Sequence, residues 1–158
     1  VTISYPLKNC LDKPDHLKLR DSATRFHYYL AAVMGVQPTL MNMLDKGVVI
    51  DRYIDSTIVM HKELGVSMGH VVLCSLPILR PSLTIVLTAD RSIRAERRQS
   101  RPEETRYDAW IEQTLDLTDR AQLRYAALGH PVVDTSALTI PQVYDQALRI
   151  LDEVRTRV

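Results

Sequence analysis

The stretch GVVIDRYIDSTIVMHKELG fills residues 47–65. It opens with a glycine and the wholly apolar Val48-Val49-Ile50. Gly47 is a good stop for a preceding helix, and the triplet predicts a short strand of the kind a parallel sheet buries on both faces. Helical periodicity follows over about 54–64 and is closed by Gly65. Between strand and helix stand Asp51-Arg52-Tyr53. Polar residues there lie at the carboxyl end of a strand, where open parallel sheets bind ligands.

The same alternation extends both ways. Toward the C-terminus, LTIVL (83–87) predicts a second buried strand, and Asp90 can cap a helix that ends before Pro102. Residues 105–128 place Trp110, Ile111, Leu115, Ala121 and Tyr125 near helical spacing, with Gly129 as the stop. Val132-Val133 predicts the last strand, and a helix over 140–156 carries Val143, Ala147, Ile150, Leu151 and Val154 on one face. Toward the N-terminus, residues 1–5 read as a strand ended by Pro6, and 7–14 as a loop. Residues 22–35 read as a helix with Phe26, Tyr29, Leu30 and Val33 as its apolar positions; Pro38 kinks it or opens a new helix to Lys46. Residues 71–76 fit strand or loop equally well. Short apolar runs alternating with helices predict an α/β fold with a mainly parallel sheet.

The chain has 158 residues, 46% of them hydrophobic and 25% charged, enough for a single domain, 1–158, with its own core. Twenty Lys and Arg against nineteen Asp and Glu leave a formal charge of +1. That balance does not indicate a nucleic-acid binder, although it leaves room for a local basic patch. The two cysteines, Cys10 and Cys74, form neither a disulfide framework nor a CxxC site. Their reduced form fits a cytoplasmic setting. No apolar run approaches the ~20 residues needed to cross a bilayer, and VTISYPLKN lacks the features of a signal peptide.

Two constellations carry chemistry. In the first, Asp51 can hold Mg²⁺ through water or orient an attacking hydroxyl, and Arg52 can fork onto phosphate oxygens. Ser56 joins them from the first turn of the next helix, where backbone N–H groups favour an anion. The plain alternative is a surface Asp–Arg pair beside an ordinary helix start. The second is RSIRAERRQSRPEETR (91–106), in which Arg94, Arg97, Arg98 and Arg101 share one helical face. That row suits a polyanion such as a nucleoside triphosphate; the plain alternative is a solvated face laced with Glu96.

In this order, LDKGVVIDRYIDSTIVMHKELG (44–65), RPSLTIVLTAD (80–90), the arginine-rich stretch and HPVVDTSALT (130–139) resemble the thymidylate kinase family of nucleoside monophosphate kinases. The resemblance covers nearly the whole chain and implies a three-layer P-loop kinase-like fold. It implies transfer of the ATP γ-phosphate, with Mg²⁺, to a nucleoside monophosphate such as dTMP or a related small phosphorylated acceptor. It further implies a homodimer packed through helices, for which the Met-rich region 34–43 could supply a surface; core packing is an equal use for those methionines. By position, Asp51 resembles the acidic residue near the metal, Arg52 the acceptor-phosphate clamp, and Ser56 a residue of the acceptor pocket. Residues 91–106 resemble the lid. Arg94, Arg98 and Arg101 would neutralise the transferring phosphoryl, with Arg97 on the nucleotide side. Asp134-Thr135-Ser136 resemble the loop lining the adenine site.

The chain also departs from the family. It has no GxxxxGK[ST], so the phosphate cradle, its lysine and the first strand are expected upstream of Val1; alternatively residues 1–5 fill the centre of the sheet. The acceptor-phosphate arginine at the end of the family's second strand is missing, with Lys8 as a stand-in. The base-stacking aromatic falls at Tyr28, or at Tyr29 if the register slips, and both serve equally well as core. The family's sugar-sensing tyrosine is Met60 here.

A second class of function is a kinase-like domain that binds nucleotide or a partner without turnover, the cradle being lost. An acidic phospho-acceptor domain is weaker, because Arg52 follows Asp51 where such domains cluster acids. Gly65-Val66-Ser67-Met68-Gly69 fits the hydrolase elbow GxSxG, but that elbow needs a strand before its serine, and no His follows Asp134. The five histidines show no i, i+4 pair, and zinc is not indicated.

Overall fold

A computed structural model describes residues 2–4, 21–69, 75–100 and 115–156, with backbone alone for 2–4 and 115. Its elements run β1 (Thr2–Ser4), α1 (Ser22–Gly35), α2 (Gln37–Met41), a 3-10 turn (Leu44–Lys46), β2 (Val49–Asp51) and α3 (Ile54–Glu63). They continue with β3 (Val86–Thr88), α4 (Arg91–Gln99), α5 (Leu115–Ala126), β4 (Val132–Asp134) and α6 (Ile140–Arg155). Both strand pairs are parallel. Thr2, Ile3 and Ser4 lie opposite Val49, Ile50 and Asp51, and Val86, Leu87 and Thr88 opposite Val132, Val133 and Asp134. The mixed helix–strand character and the parallel pairing expected from the sequence are both present. The described strands form two two-stranded sheets, and the chain divides into two compact units, Val1–Arg80 and Pro81–Val158. Among the described strands β1 pairs with β2.

In the first unit, α1 starts at Asp21, whose carboxylate accepts from the Thr24 N–H at 2.7 Å. Phe26, Leu30 and Val33, at i, i+4 and i+7, go into the core with Val36, Leu40, Tyr53, Ile54 and Ile78. A polar ring lies inside this cluster. Gln37 Nε2 donates to Tyr53 Oη at 2.8 Å, Tyr53 Oη donates to the Leu79 carbonyl at 3.1 Å, and the Leu79 N–H donates to Gln37 Oε1 at 2.8 Å. Burial pushes the Tyr53 phenol above its ordinary pKa, against the opposing pull of the Gln37 hydrogen bond. The phenol therefore stays protonated and able to donate.

His61 of α3 is buried at 5% exposure. Its ring packs edge-on against Phe26 at 5.5 Å and tilted against Tyr29 at 5.4 Å. Nδ1 lies 2.7 Å from the Thr57 carbonyl, which can only accept, so Nδ1 carries the hydrogen.

In the second unit, Val86 and Val133 are buried in the sheet, and Leu117 and Ala121 of α5 are buried with them. Gln142 Oε1 accepts from both the Thr139 N–H and Oγ1 at the start of α6. The expected face of α6 (Val143, Ala147, Ile150, Leu151, Val154) is the half-buried one, and no α6 side chain is fully buried.

Four expectations are corrected. The strand expected at 48–50 is Val49–Asp51, and Val49 is 67% exposed rather than buried. Side chains alternate along a strand, so Val48 and Ile50 pack on the core while Val49 faces away from it. The strand expected at 83–87 is Val86–Thr88, with Leu87 at 58% exposure for the same reason. The helix expected from Pro38 to Lys46 stops at Met41 and resumes as a 3-10 turn. Of residues 41–47 Met43 alone packs against the core, and it is only half-buried; a helix without a continuous buried face is marginal. Asp90 stands at the start of α4 without a side-chain capping bond; its N–H donates to Ser136 Oγ at 2.8 Å instead. Gly47 and Gly65 stop their helical segments as expected, at φ +67° and +80°, in space that would admit a Cβ. Their requirement is therefore conformational, not steric.

Two stability predictions follow from the first unit's core. Tyr53→Phe leaves the Leu79 carbonyl without the phenol's hydrogen and should cost about 1–2 kcal/mol in urea denaturation. Burial, opposed by the bond to Thr57 and reinforced by Arg25, depresses the His61 pKa below its ordinary 6.5. The folded state thus binds this proton less tightly than the unfolded chain. The stabilisation from neutral His61 is complete above about pH 6.5 and is lost as the pH falls through the folded pKa. The denaturation midpoint should drop between about pH 7 and pH 5, and His61→Leu should flatten that slope.

Candidate functional site

In the first unit the chain leaves β2 at Asp51 and enters α3 at Ile54, with Arg52 and Tyr53 as the turn between. Arg52 has φ +63° and is the only non-glycine residue with positive φ among the described residues. An L-residue in the left-handed region costs about 1–2 kcal/mol. The turn persists because it is clamped on both sides. Asp51 is fixed in the ladder opposite Ser4, and the side chains of Tyr53 and Ile54 are buried. Asp51 and Arg52 are left exposed at the carboxyl end of the strand. Ser56 and Met60 are half-buried on α3, one turn apart, and Thr57 between them is buried. The sequence-predicted set Asp51, Arg52, Ser56 and Met60 therefore lies along the β2–α3 junction and the first two turns of one helix.

The aromatic candidates sit on α1. Tyr28 meets Tyr29 edge-on at 5.8 Å, and Tyr29 leans on His61. Both are half-buried. Tyr29 is thereby engaged in the α1–α3 packing. Gly65–Gly69 follows helix α3, not a strand, so the hydrolase elbow is absent.

In the second unit the arginine row divides. Arg94 Nη1 donates to the Ala89 carbonyl at 2.7 Å and to Gln122 Oε1, and Nη2 pairs with the Asp119 carboxylate. Arg91 adds longer ion pairs to Asp119 at 3.5 Å and to Asp116 at 3.7 Å. Asp116, Asp119 and Gln122 recur every third residue on α5, the sequence signal that could have identified them as partners of α4. Arg97 points another way. Its Nη1 donates to Thr135 Oγ1 at 2.9 Å and Nη2 to the Thr135 carbonyl at 2.6 Å. Arg98 is half-buried on the same helix. Arg101 and Lys8 lie outside the described residues, as do Arg106, Trp110, Ile111, Cys10 and Cys74.

The Arg97 contact belongs to a compact loop after β4. The Thr135 N–H and Oγ1 both donate to the Thr88 carbonyl at 2.8 Å. Asp134 Oδ1 accepts from the Ser136 N–H at 2.9 Å and from its Oγ at 2.6 Å. These Ser136 bonds hold the Asp134 carboxyl below its ordinary pKa, with a smaller contribution from Arg97. The loops after β3 and β4 are thus stitched together at the carboxyl ends of their strands. Arg97, Asp134, Thr135 and Ser136, expected as one group, are neighbours.

No group of three His, Cys, Asp or Glu among the described residues could hold a metal ion. No helix among them is long and apolar enough to cross a membrane. No protein-family model, curated protein or solved structure matches the chain.

Ser136→Ala removes the hydroxyl bond, the largest of the influences that depress the Asp134 carboxyl, and keeps the backbone N–H bond. The Asp134 pKa should rise toward the ordinary 3.8, read from the pH dependence of its side-chain NMR signals.

Proposed function

We propose that the chain is a phosphotransferase of the thymidylate kinase type, built on a P-loop kinase-like three-layer fold, that moves the γ-phosphoryl of ATP onto a nucleoside monophosphate or a related small acceptor. The observation that carries this reading is the conformation of Arg52. A glycine would fill the left-handed turn between β2 and α3 without cost. An exposed arginine stands there instead, beside an exposed carboxylate at the carboxyl end of a parallel strand. Strain retained at an exposed charged position suits binding better than packing.

In this reading Arg52 forks onto the acceptor phosphate, and Ser56 donates to it from the first turn of α3. Asp51 accepts the hydrogen bond of a water or hydroxyl next to the acceptor oxygen. Met60, one turn beyond Ser56, lines the sugar side, with Tyr28 as the aromatic offered to the base. Arg97, Asp134, Thr135 and Ser136 form the nucleotide-side loop. Arg98, Arg94 and Arg101 of the second unit offer positive charge to a polyphosphate, and for Arg94 this requires exchanging the Asp119 carboxylate for a phosphate oxygen. A single carboxylate fits Mg²⁺ that arrives on nucleotide phosphates and keeps most of its waters; the ion supplies charge neutralisation there. Catalysis of this kind rests on positioning and electrostatics, so its losses fall on turnover more than on folding.

The test is calorimetry with a panel of nucleoside monophosphates and ATP·Mg²⁺, together with a phosphoryl-transfer assay on the longest natural form of the polypeptide. Arg52→Gly should keep or raise the melting temperature, because glycine relieves the turn, while weakening monophosphate binding at least tenfold. Asp51→Asn should lower transfer by about two orders of magnitude. Unchanged binding in Arg52→Gly, or full activity in Asp51→Asn, defeats the proposal.

A further inference from the structure

Ser100 ends helix α4 and is exposed. Arg97 and Arg98 stand three and two residues before it. No other serine or threonine of the 158 residues has a lysine or arginine three places upstream. The segment thus offers one reactive oxygen and two guanidiniums that can fork onto carboxylates. Enzymes that phosphorylate serine select substrates by such charge patterns, and a substrate groove lined with carboxylates takes an arginine-led one.

The structure leaves this pattern within reach. Ser100 Oγ donates to the Arg97 carbonyl at 3.1 Å, a contact inside its own turn. That turn closes on the Ser100 N–H, which donates to the Glu96 carbonyl at 3.0 Å. No α4 side chain is fully buried, so unwinding the turn opens no core, and a helix this short is marginal by itself. The tie of Arg97 to Thr135 resists the unwinding. Arg97 is nevertheless exposed, and a carboxylate of the groove replaces those two bonds with charge-assisted ones.

A phosphate on Ser100 would act on the same tie. Phosphoserine carries about −1.5 to −2 charge at pH 7. At the carboxyl end of α4 it meets the negative end of the helix dipole, which loosens the last turn. It also stands three residues from Arg97, the spacing of side-chain neighbours on a helix. Its oxygens are stronger acceptors for a guanidinium than the Thr135 hydroxyl and carbonyl. Both effects draw Arg97 away from Thr135, and the loop after β4 loses this link to α4.

We propose that Ser100 is the acceptor site of a separate, arginine-directed serine kinase, and that its phosphate releases α4 from the loop after β4. In the transfer, Ser100 Oγ attacks the γ-phosphorus of ATP held by that kinase. The Oγ–P bond forms, the bond from phosphorus to the ADP oxygen breaks, and the hydroxyl proton passes to the kinase's catalytic aspartate. The proposal stands independently of the enzymatic reading of the chain itself.

The 158-residue chain is incubated with ATP·Mg²⁺ and the catalytic subunit of cyclic-AMP-dependent protein kinase as the arginine-directed probe. Parallel samples receive a casein kinase, which prefers acidic surroundings, or no kinase. Intact and fragment masses read how many phosphates are added and where, and circular dichroism confirms that each variant is folded. The arginine-directed kinase alone should add one phosphate, at Ser100. Ser100→Ala should abolish that addition, and Arg98→Gln should slow it about tenfold, because one of the two recognised charges is gone. In NMR spectra phosphorylation should move the Thr135 amide signal in the direction in which Arg97→Ala moves it. No phosphate at Ser100, full-rate modification of Arg98→Gln, or equal modification by the casein kinase or without kinase overturns the site. A Thr135 signal that stays in place in the phosphorylated chain overturns the release.

Discussion

The Tyr53 phenol is the point on which the first unit turns. It accepts from Gln37 on α2 and donates to the Leu79 carbonyl, whose own N–H returns to Gln37. Three segments distant in sequence are closed into one ring with its polar groups paired, and Phe26, Leu30, Val36 and Ile54 surround it. A buried ring of this kind tolerates no partial occupancy, because each group left unpaired bears its full desolvation penalty. Its consequence lies one residue upstream. With Tyr53 anchored and Asp51 paired in the ladder, Arg52 cannot relax out of the left-handed region. The strain at the candidate site is held by core packing that contains no functional group.

In the second unit arginines serve as structural ties. Arg94 spends its guanidinium on Ala89, Gln122 and Asp119, and so joins α4 to α5. Arg97 spends its own on Thr135, joining α4 to the loop after β4. The planar fork of arginine suits such work, since one side chain can satisfy a carbonyl, an amide and a carboxylate together. The exposed Arg91 pairs with Asp116 and Asp119 add little by comparison, because water and salt screen them. The helix with the densest positive charge is thus held in place by that charge.

The readings that held were those governed by local chemistry. The helix from Ser22 to Gly35, the stops at Gly47 and Gly65 and the α6 packing face follow from period and caps. The readings that failed needed knowledge of what covers a surface. Val49 and Leu87 look like core in a list of apolar residues, yet they take the uncovered side of the pleat. A local window does not name a hydrogen-bond partner far along the chain: Gln37 leaves no mark there, and the three-residue spacing of Asp119 and Gln122 marks a shared face of α5 without saying which helix it meets.

By itself, then, the sequence determined the helix over 22–35 and the glycine stops at 47 and 65, that strands pair in parallel, and that Asp51 and Arg52 stand at a strand's carboxyl end. These depend on backbone propensity and side-chain period, which act over a few residues. Only the tertiary structure decided which face of each strand is covered, that Tyr53 is locked by Gln37 and Leu79, that Arg52 is held at positive φ, and that the arginine row splits between α5 and Thr135. Those outcomes are set by contacts across tens of residues, where desolvation of each polar group selects its partner.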